Sequence, residues 1–100
     1  MRVRVPKYVR ETAARALDRR SRLPVYQRYG LTKEQAEKIG INSGVERARQ
    51  LTKSKYISVD DARRIAAFYQ RFKGCRTDKC EGAIDLWGGR RWGKVLSKLF

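Results

Sequence analysis

The side chains equipped for chemistry in this chain are guanidinium groups. Arg15, Arg19 and Arg22 recur at spacings of four and three, and Arg63, Arg64 and Arg71 fall on one side of a later periodic stretch. On a helix each set shares a face, where planar N–H forks can meet phosphate or carboxylate oxygens in pairs. A third set, Arg47, Arg49, Gln50 and Lys53, sits in a short segment between two helix-start signals. Arg and Gln are the residue types that make paired hydrogen bonds to purine edges. A fourth spot is Arg90-Arg91, which follows Gly88-Gly89 between Trp87 and Trp92. There a guanidinium could stack on an indole or the backbone could approach a phosphate. The preferred reading is plainer, a helix–helix corner stapled by two tryptophans.

Three tyrosines, Tyr26, Tyr29 and Tyr56, lie among basic residues. They fit either stacking on unpaired bases or, as the preferred reading, half-buried core positions with hydrated hydroxyls. Catalysis has little to draw on. The chain has no His, no Gly-x-Ser-x-Gly, no phosphate loop and no acid cluster suited to magnesium. Asp60-Asp61 fit the first turn of a helix, where the dipole favours acids. The expectation is a binding protein, not an enzyme, with no cofactor. Cys75 and Cys80, with no third thiol and no imidazole, cannot complete a tetrahedral zinc shell. Their spacing permits a small disulfide loop; free thiols are expected in a reducing cytosol and a disulfide in an extracellular particle.

Charge supplies the partner class. Twenty-five Lys and Arg against ten acids leave +15 on 100 residues, which makes a polyanion the default partner. Residues 1–30 hold nine bases and two acids, residues 31–60 six and four, and residues 61–100 ten and four. The excess lies on the flanks of a nearly balanced centre, which favours tracking of backbone phosphates over compact base readout.

The elements that must position these groups are helices. Pro6 opens a pattern in which Val5, Val9, Ala13, Ala16 and Leu17 share a face, and Leu23-Pro24 closes it. Val25–Gly30 reads as an aromatic linker or a single turn. Thr32 with Gln35 forms a capping box, with Leu31 and Ala36 as its hydrophobic staple, and Gly40 ends that helix. Ser43 with Glu46 starts the next, whose apolar side is Val45, Ala48 and Leu51. Ser58–Asp61 starts a third capped helix, which lines up Ala62, Ile65, Ala66, Tyr69 and Phe72 and stops at Gly74. Cys75–Cys80 reads as a loop, Ala83–Trp87 as a helical turn or two, and Trp92, Val95, Leu96 and Leu99 as a final stripe. No segment alternates convincingly enough for a sheet. The prediction is an all-α, small compact bundle of about five short helices containing a helix-turn-helix-like pair. It forms one domain over residues 1–100, with residues 1–5 as a basic arm; the Arg/Val alternation of residues 1–4 could alternatively form a short strand, though one strand alone has no pairing partner.

Two resemblances follow from these residues. Leu31–Ile41 is similar to the first half of the phage-repressor type of DNA-binding helix-turn-helix. That resemblance implies close helix contact at Ala36, a turn at Gly40, core plugs at Ile39 and Ile41, and a recognition helix over Ser43–Thr52. Val45, however, follows the glycine one position earlier than in the repressor pattern, which turns the second helix by roughly 100°. Over a longer stretch, from about Thr12 to Leu96, the chain resembles a phage-associated helical domain without a settled activity. The strings that carry this are Gly44-Val45-Glu46-Arg47-Ala48-Arg49-Gln50-Leu51 and Leu86-Trp87-Gly88-Gly89.

The expected function is therefore phage-encoded nucleic-acid binding, DNA ahead of RNA, through basic helix faces. The alternative is a phage-particle component, or an interaction module or inhibitor docking on an acidic protein surface with the Trp87–Trp92 corner as its anchor. With no apolar leader and no spanning run, the expected place is the host cytoplasm or the virion.

Overall fold

The structure, a computed structural model, describes residues 1–39 and 43–100. Among them are six helices: α1 (Lys7–Arg22), α2 (Lys33–Ile39), α3 (Gly44–Lys53), α4 (Val59–Phe72), α5 (Asp78–Leu86) and α6 (Arg90–Leu99). A 3₁₀ turn, Val25–Gln27, follows α1, and two short strands, β1 (Arg2–Arg4) and β2 (Tyr56–Ser58), complete the set. The all-α prediction holds, with one small sheet added.

Local chemistry explains the boundaries. The Pro6 carbonyl accepts from the Val9 and Arg10 amides at 3.0 and 3.2 Å, and Leu23 before Pro24 is extended, so α1 starts and stops at its prolines. At α2 the capping box is reciprocal. Gln35 N–H donates to Thr32 Oγ1 at 3.2 Å, and Thr32 N–H donates to Gln35 Oε1 at 3.0 Å. Ser43 Oγ accepts from Glu46 N–H at 3.1 Å and donates to the Leu31 carbonyl at 2.6 Å, tying the start of α3 back to the segment that leads into α2. Ser58 caps α4 through Asp61 N–H at 3.0 Å. A fourth cap went unread: Thr77 accepts from Cys80 N–H at 3.2 Å, so α5 begins at Asp78 and the second half of the expected Cys75–Cys80 loop is helix.

One core joins most of these elements. Helix α1 packs on α3 and α5, and α4 packs on α6. Val5, Val9, Ala13 and Ala16 meet Ala48 and Leu51, Ala62, Ile65 and Ala66, and Leu86, Trp92 and Leu96. The alanines on α1 and α3 allow close approach of the backbones, which compensates for a modest stock of large aliphatic residues. Between α5 and α6 the chain turns on Gly88 and Gly89, with φ of +106° and +92°, a conformation that side-chain-bearing residues seldom adopt.

Two expectations are corrected and one open alternative is decided. The basic arm is a strand: β1 pairs antiparallel with β2 in the register Arg2↔Ser58, Val3↔Ile57, Arg4↔Tyr56. Its partner is the linker between α3 and α4, far along the chain. Ile39 does not plug the core but stands 62% exposed, while Gly40 and Ile41, the expected turn and second plug, lie outside the described residues. Of the two states open to Cys75 and Cys80, the structure has the disulfide.

Candidate nucleic-acid interface

Helix α1 carries the expected stripe. Arg15, Arg19 and Arg22 are all exposed, each beside one acid: Glu11 at 4.0 Å, Asp85 at 3.5 Å and Asp18 at 3.2 Å respectively. Surface pairs of this kind contribute about 0–1 kcal/mol, so a phosphate can displace the carboxylate at little cost. The stripe borders a groove of about 500 Å³ floored by Thr12, Ala16 and Asp85. Burial pushes the Asp85 carboxyl above the ordinary aspartate range, against the opposing pull of Arg19. Arg19 also donates from Nε to the Tyr29 hydroxyl at 3.3 Å, which orients it along the groove.

On α4, Arg63, Arg64 and Arg71 are exposed, as expected. Arg64 lies 3.2 Å from Asp61 Oδ1, and the Arg63 guanidinium stands 5.5 Å from the Phe100 ring centroid. Arg71 has no carboxylate within ion-pair distance among the described residues.

The central set divides. Arg49 and Lys53 face solvent, Arg49 paired with Glu46 at 3.1 Å. Arg47 does not: it is 8% exposed, which corrects its expected role among the outward contact residues. Its Nη1 donates to Gln50 Oε1 at 2.6 Å and lies 3.1 Å from Asp61 Oδ1, and Gln50 Nε2 donates to Asp61 Oδ2 at 2.9 Å. The guanidinium stacks 4.9 Å from the Trp87 ring centroid. Arg47 and Gln50 thus fasten α3 to α4 and to the end of α5, and are not free to read bases. At Asp61, burial works to raise the carboxyl, but hydrogen bonds from Gln50 and Arg47 outweigh it and leave the group below its ordinary range.

Arg90 and Arg91 also part company. Arg90 donates from Nε at 3.0 Å and from Nη2 to the Glu81 carboxylate, from Nη1 to the Lys73 carbonyl at 2.7 Å, and from Nη2 to the Cys75 carbonyl at 2.9 Å. It clamps the start of α6 to the α4–α5 connection, and its hydrogen bond holds the Glu81 carboxyl below the ordinary range. Arg91 is exposed, its guanidinium 4.2 Å from the Tyr8 ring centroid.

The two tryptophans form the stapled corner. Both are buried, and Trp87 stacks on Phe68 with centroids 4.3 Å apart and planes 3° from parallel. The guanidinium over an indole comes from Arg47, not from the Arg90-Arg91 pair. Neither tryptophan can anchor a partner from where it sits. Tyr29 is a core residue whose hydroxyl donates to the Ala16 carbonyl at 2.6 Å, whereas Tyr26 is exposed and Tyr56 partly so.

Sequence reasoning missed one further basic surface. Directly paired residues of an antiparallel ladder share a face, so Arg2, Arg4, Tyr56 and Ser58 point to solvent while Val3 and Ile57 turn to the core. The Arg/Val alternation of residues 2–5 was the signal; its partner was not visible.

Among the described residues no group of three or more His, Cys, Asp or Glu could hold a metal ion, and no helix is long and apolar enough to cross a membrane. Comparison of the chain with protein-family models, curated proteins and solved structures gave no match. The chain is a small all-α domain, with a two-stranded ribbon, that displays arginines on several faces.

Proposed function

We propose that this protein binds nucleic acid, DNA ahead of RNA, by gripping backbone phosphates through the arginines of α1 and α4. One observation carries the reading: among the described residues, only eight of the twenty-five Lys and Arg side chains lie within 4.0 Å of a carboxylate. Two of those eight are withdrawn, Arg47 by burial and Arg90 by its hydrogen bonds; the other six side chains are exposed and exchangeable. Of the other seventeen, Arg10, Arg20 and Arg28 donate to backbone carbonyls within the fold, and the remaining fourteen form an exposed surplus with no acid within ion-pair distance among the described residues. Against a phosphate backbone it would release condensed counterions, which is the main source of sequence-independent affinity. With Arg47 buried and both amide atoms of Gln50 engaged by Arg47 and Asp61, base readout by α3 retains only Arg49 and Lys53, so the affinity is assigned to backbone contacts. The phage-encoded part of the proposal, with its setting in the host cytoplasm or virion, rests on the two strings at Gly44–Leu51 and Leu86–Gly89.

Titration of a labelled duplex by fluorescence anisotropy between 50 and 200 mM salt tests this. About six phosphate contacts would give a slope of log K on log salt near −5. An affinity indifferent to salt would overturn the proposal, and equal-length RNA in competition tests the preference for DNA.

A second reading, docking on an acidic protein surface, draws on another patch. Val95, Leu99 and Phe100 are exposed on and beside α6, next to Lys94 and Lys98. Purification with and without nuclease separates the two, because a protein partner survives the treatment and a polymer does not.

A further inference from the structure

We infer that the outward face of the β1–β2 ribbon is a stacking platform for an unpaired nucleobase, so that single-stranded nucleic acid is a ligand of this protein. The inference deepens the nucleic-acid reading above and rests on it. The platform's parts come from opposite ends of the first sixty residues and are brought together only by the ladder. Ladder partners Arg4 and Tyr56 lie on the solvent side with Arg2 and Ser58, over a floor of Val3 and the buried Ile57. The Arg2 guanidinium lies 4.6 Å from the Tyr56 ring centroid. A preformed guanidinium–aromatic pair of this kind offers a flat, cationic surface of the sort on which bases stack.

Two observations point this face outward to a ligand. Tyr56 keeps 47% of its surface exposed, whereas Tyr29, Tyr69, Trp87 and Trp92 are all buried; Tyr26 is exposed too, at 75%, but Tyr56 has a guanidinium stacked on its ring. Arg2, Arg4, Lys53 and Lys55 have no carboxylate within ion-pair distance among the described residues, unlike Arg15, Arg19 and Arg22 of α1, each of which has one. The cations around Tyr56 are therefore uncompensated from within the chain. Asp60 and Asp61 lie beyond Ser58 at the start of α4, so a nucleic-acid backbone would run past the Arg4 and Lys55 end of the ribbon.

The shape favours a single strand. A duplex offers base edges in its grooves and keeps the base faces stacked, so a flat platform finds nothing to stack on except at an end. At about 3.3 Å per residue, β1 spans roughly 7 Å from Arg2 to Arg4, room for one or two bases. Sequence-tolerant stacking on an exposed sheet face, with lysine and arginine along the backbone path, is how single strands are held without base readout.

The test uses the full chain and two labelled probes at one salt concentration, a 15-nucleotide oligothymidylate and a 15-base-pair duplex. Tyr56→Ala is expected to weaken oligothymidylate binding by about 5- to 100-fold and duplex binding by less than about twofold. Tyr56→Phe, which keeps the ring, should stay within about threefold of the parent on both. Should Tyr56→Ala fail to fold by circular dichroism, Tyr56→Trp answers instead: the exposed indole it introduces should be quenched by oligothymidylate and not by the duplex. Equal losses on both probes, no loss on the single strand, or an indole left unquenched in Tyr56→Trp would each overturn the platform and leave the phosphate-gripping function standing. A parent protein that binds neither probe would overturn both.

Discussion

Arg47 shows how much one side chain's direction decides. By type and position it belongs with the base-reading candidates of α3; by burial it belongs to the core. Its guanidinium is held between the Trp87 ring, Gln50 and Asp61, with little contact to water. Removing one partner of such a pair leaves the other buried and uncompensated. Arg47→Ala is therefore expected to cost about 3 kcal/mol in urea unfolding, while Arg49→Ala, at an exposed pair, should stay within about 0.5 kcal/mol of the parent. Equal costs at the two positions would contradict the burial of Arg47. The acid side of the pair adds a pH dependence. Because the Asp61 carboxyl is held below its unfolded value, its contribution is complete at neutral pH and disappears as pH falls below about 4. Asp61→Asn should be less stable at pH 7 and should lose less stability than the parent on acidification, a comparison that pH-dependent unfolding provides.

At the scale of elements, what could be read was what is local. Pro6, Pro24 and the pairs Thr32–Gln35, Ser43–Glu46 and Ser58–Asp61 act within a few residues of themselves, and each marks a helix boundary in the structure. Thr77 escaped notice because the residues after it, Asp78-Lys79-Cys80, carry no apolar stripe to announce a helix. The alternation at β1 allows a strand, but three residues cannot reveal a ladder whose other half follows α3. The α4–α5 connection rests on Thr77, the disulfide and the Arg90 clamp together. Thr77→Ala should cost about 1 kcal/mol through its uncapped amide. Closing a loop with a sequence separation of only five residues corresponds to about 2 kcal/mol in the chain-entropy model. Cys75→Ser/Cys80→Ser is expected to lower stability by that amount in thermal or urea unfolding. A double-serine variant as stable as the parent would mean that Arg90 and Thr77 hold the connection without the disulfide.

For the whole molecule the governing quantity is +15 on 100 residues, most of it on exposed faces. Arg15→Ala/Arg19→Ala should reduce the salt slope of duplex binding by about 2 and weaken all sequences alike, since each lost phosphate contact removes about 0.9 from the slope. A loss confined to one sequence would instead assign these arginines to base readout. The amount of charge, the helical class and most helix starts follow from the sequence alone, because they depend on composition, periodicity and contacts a few residues apart. Which arginines are free to meet a partner was settled by tertiary structure. Burial beside Asp61 and Trp87 withdraws Arg47, hydrogen bonds to Glu81, Lys73 and Cys75 withdraw Arg90, and long-range strand pairing brings Arg2 and Arg4 beside Tyr56. Neither helical periodicity nor net charge carries that information. It arises only when segments distant in the chain compete for the same space and the same hydrogen-bond partners.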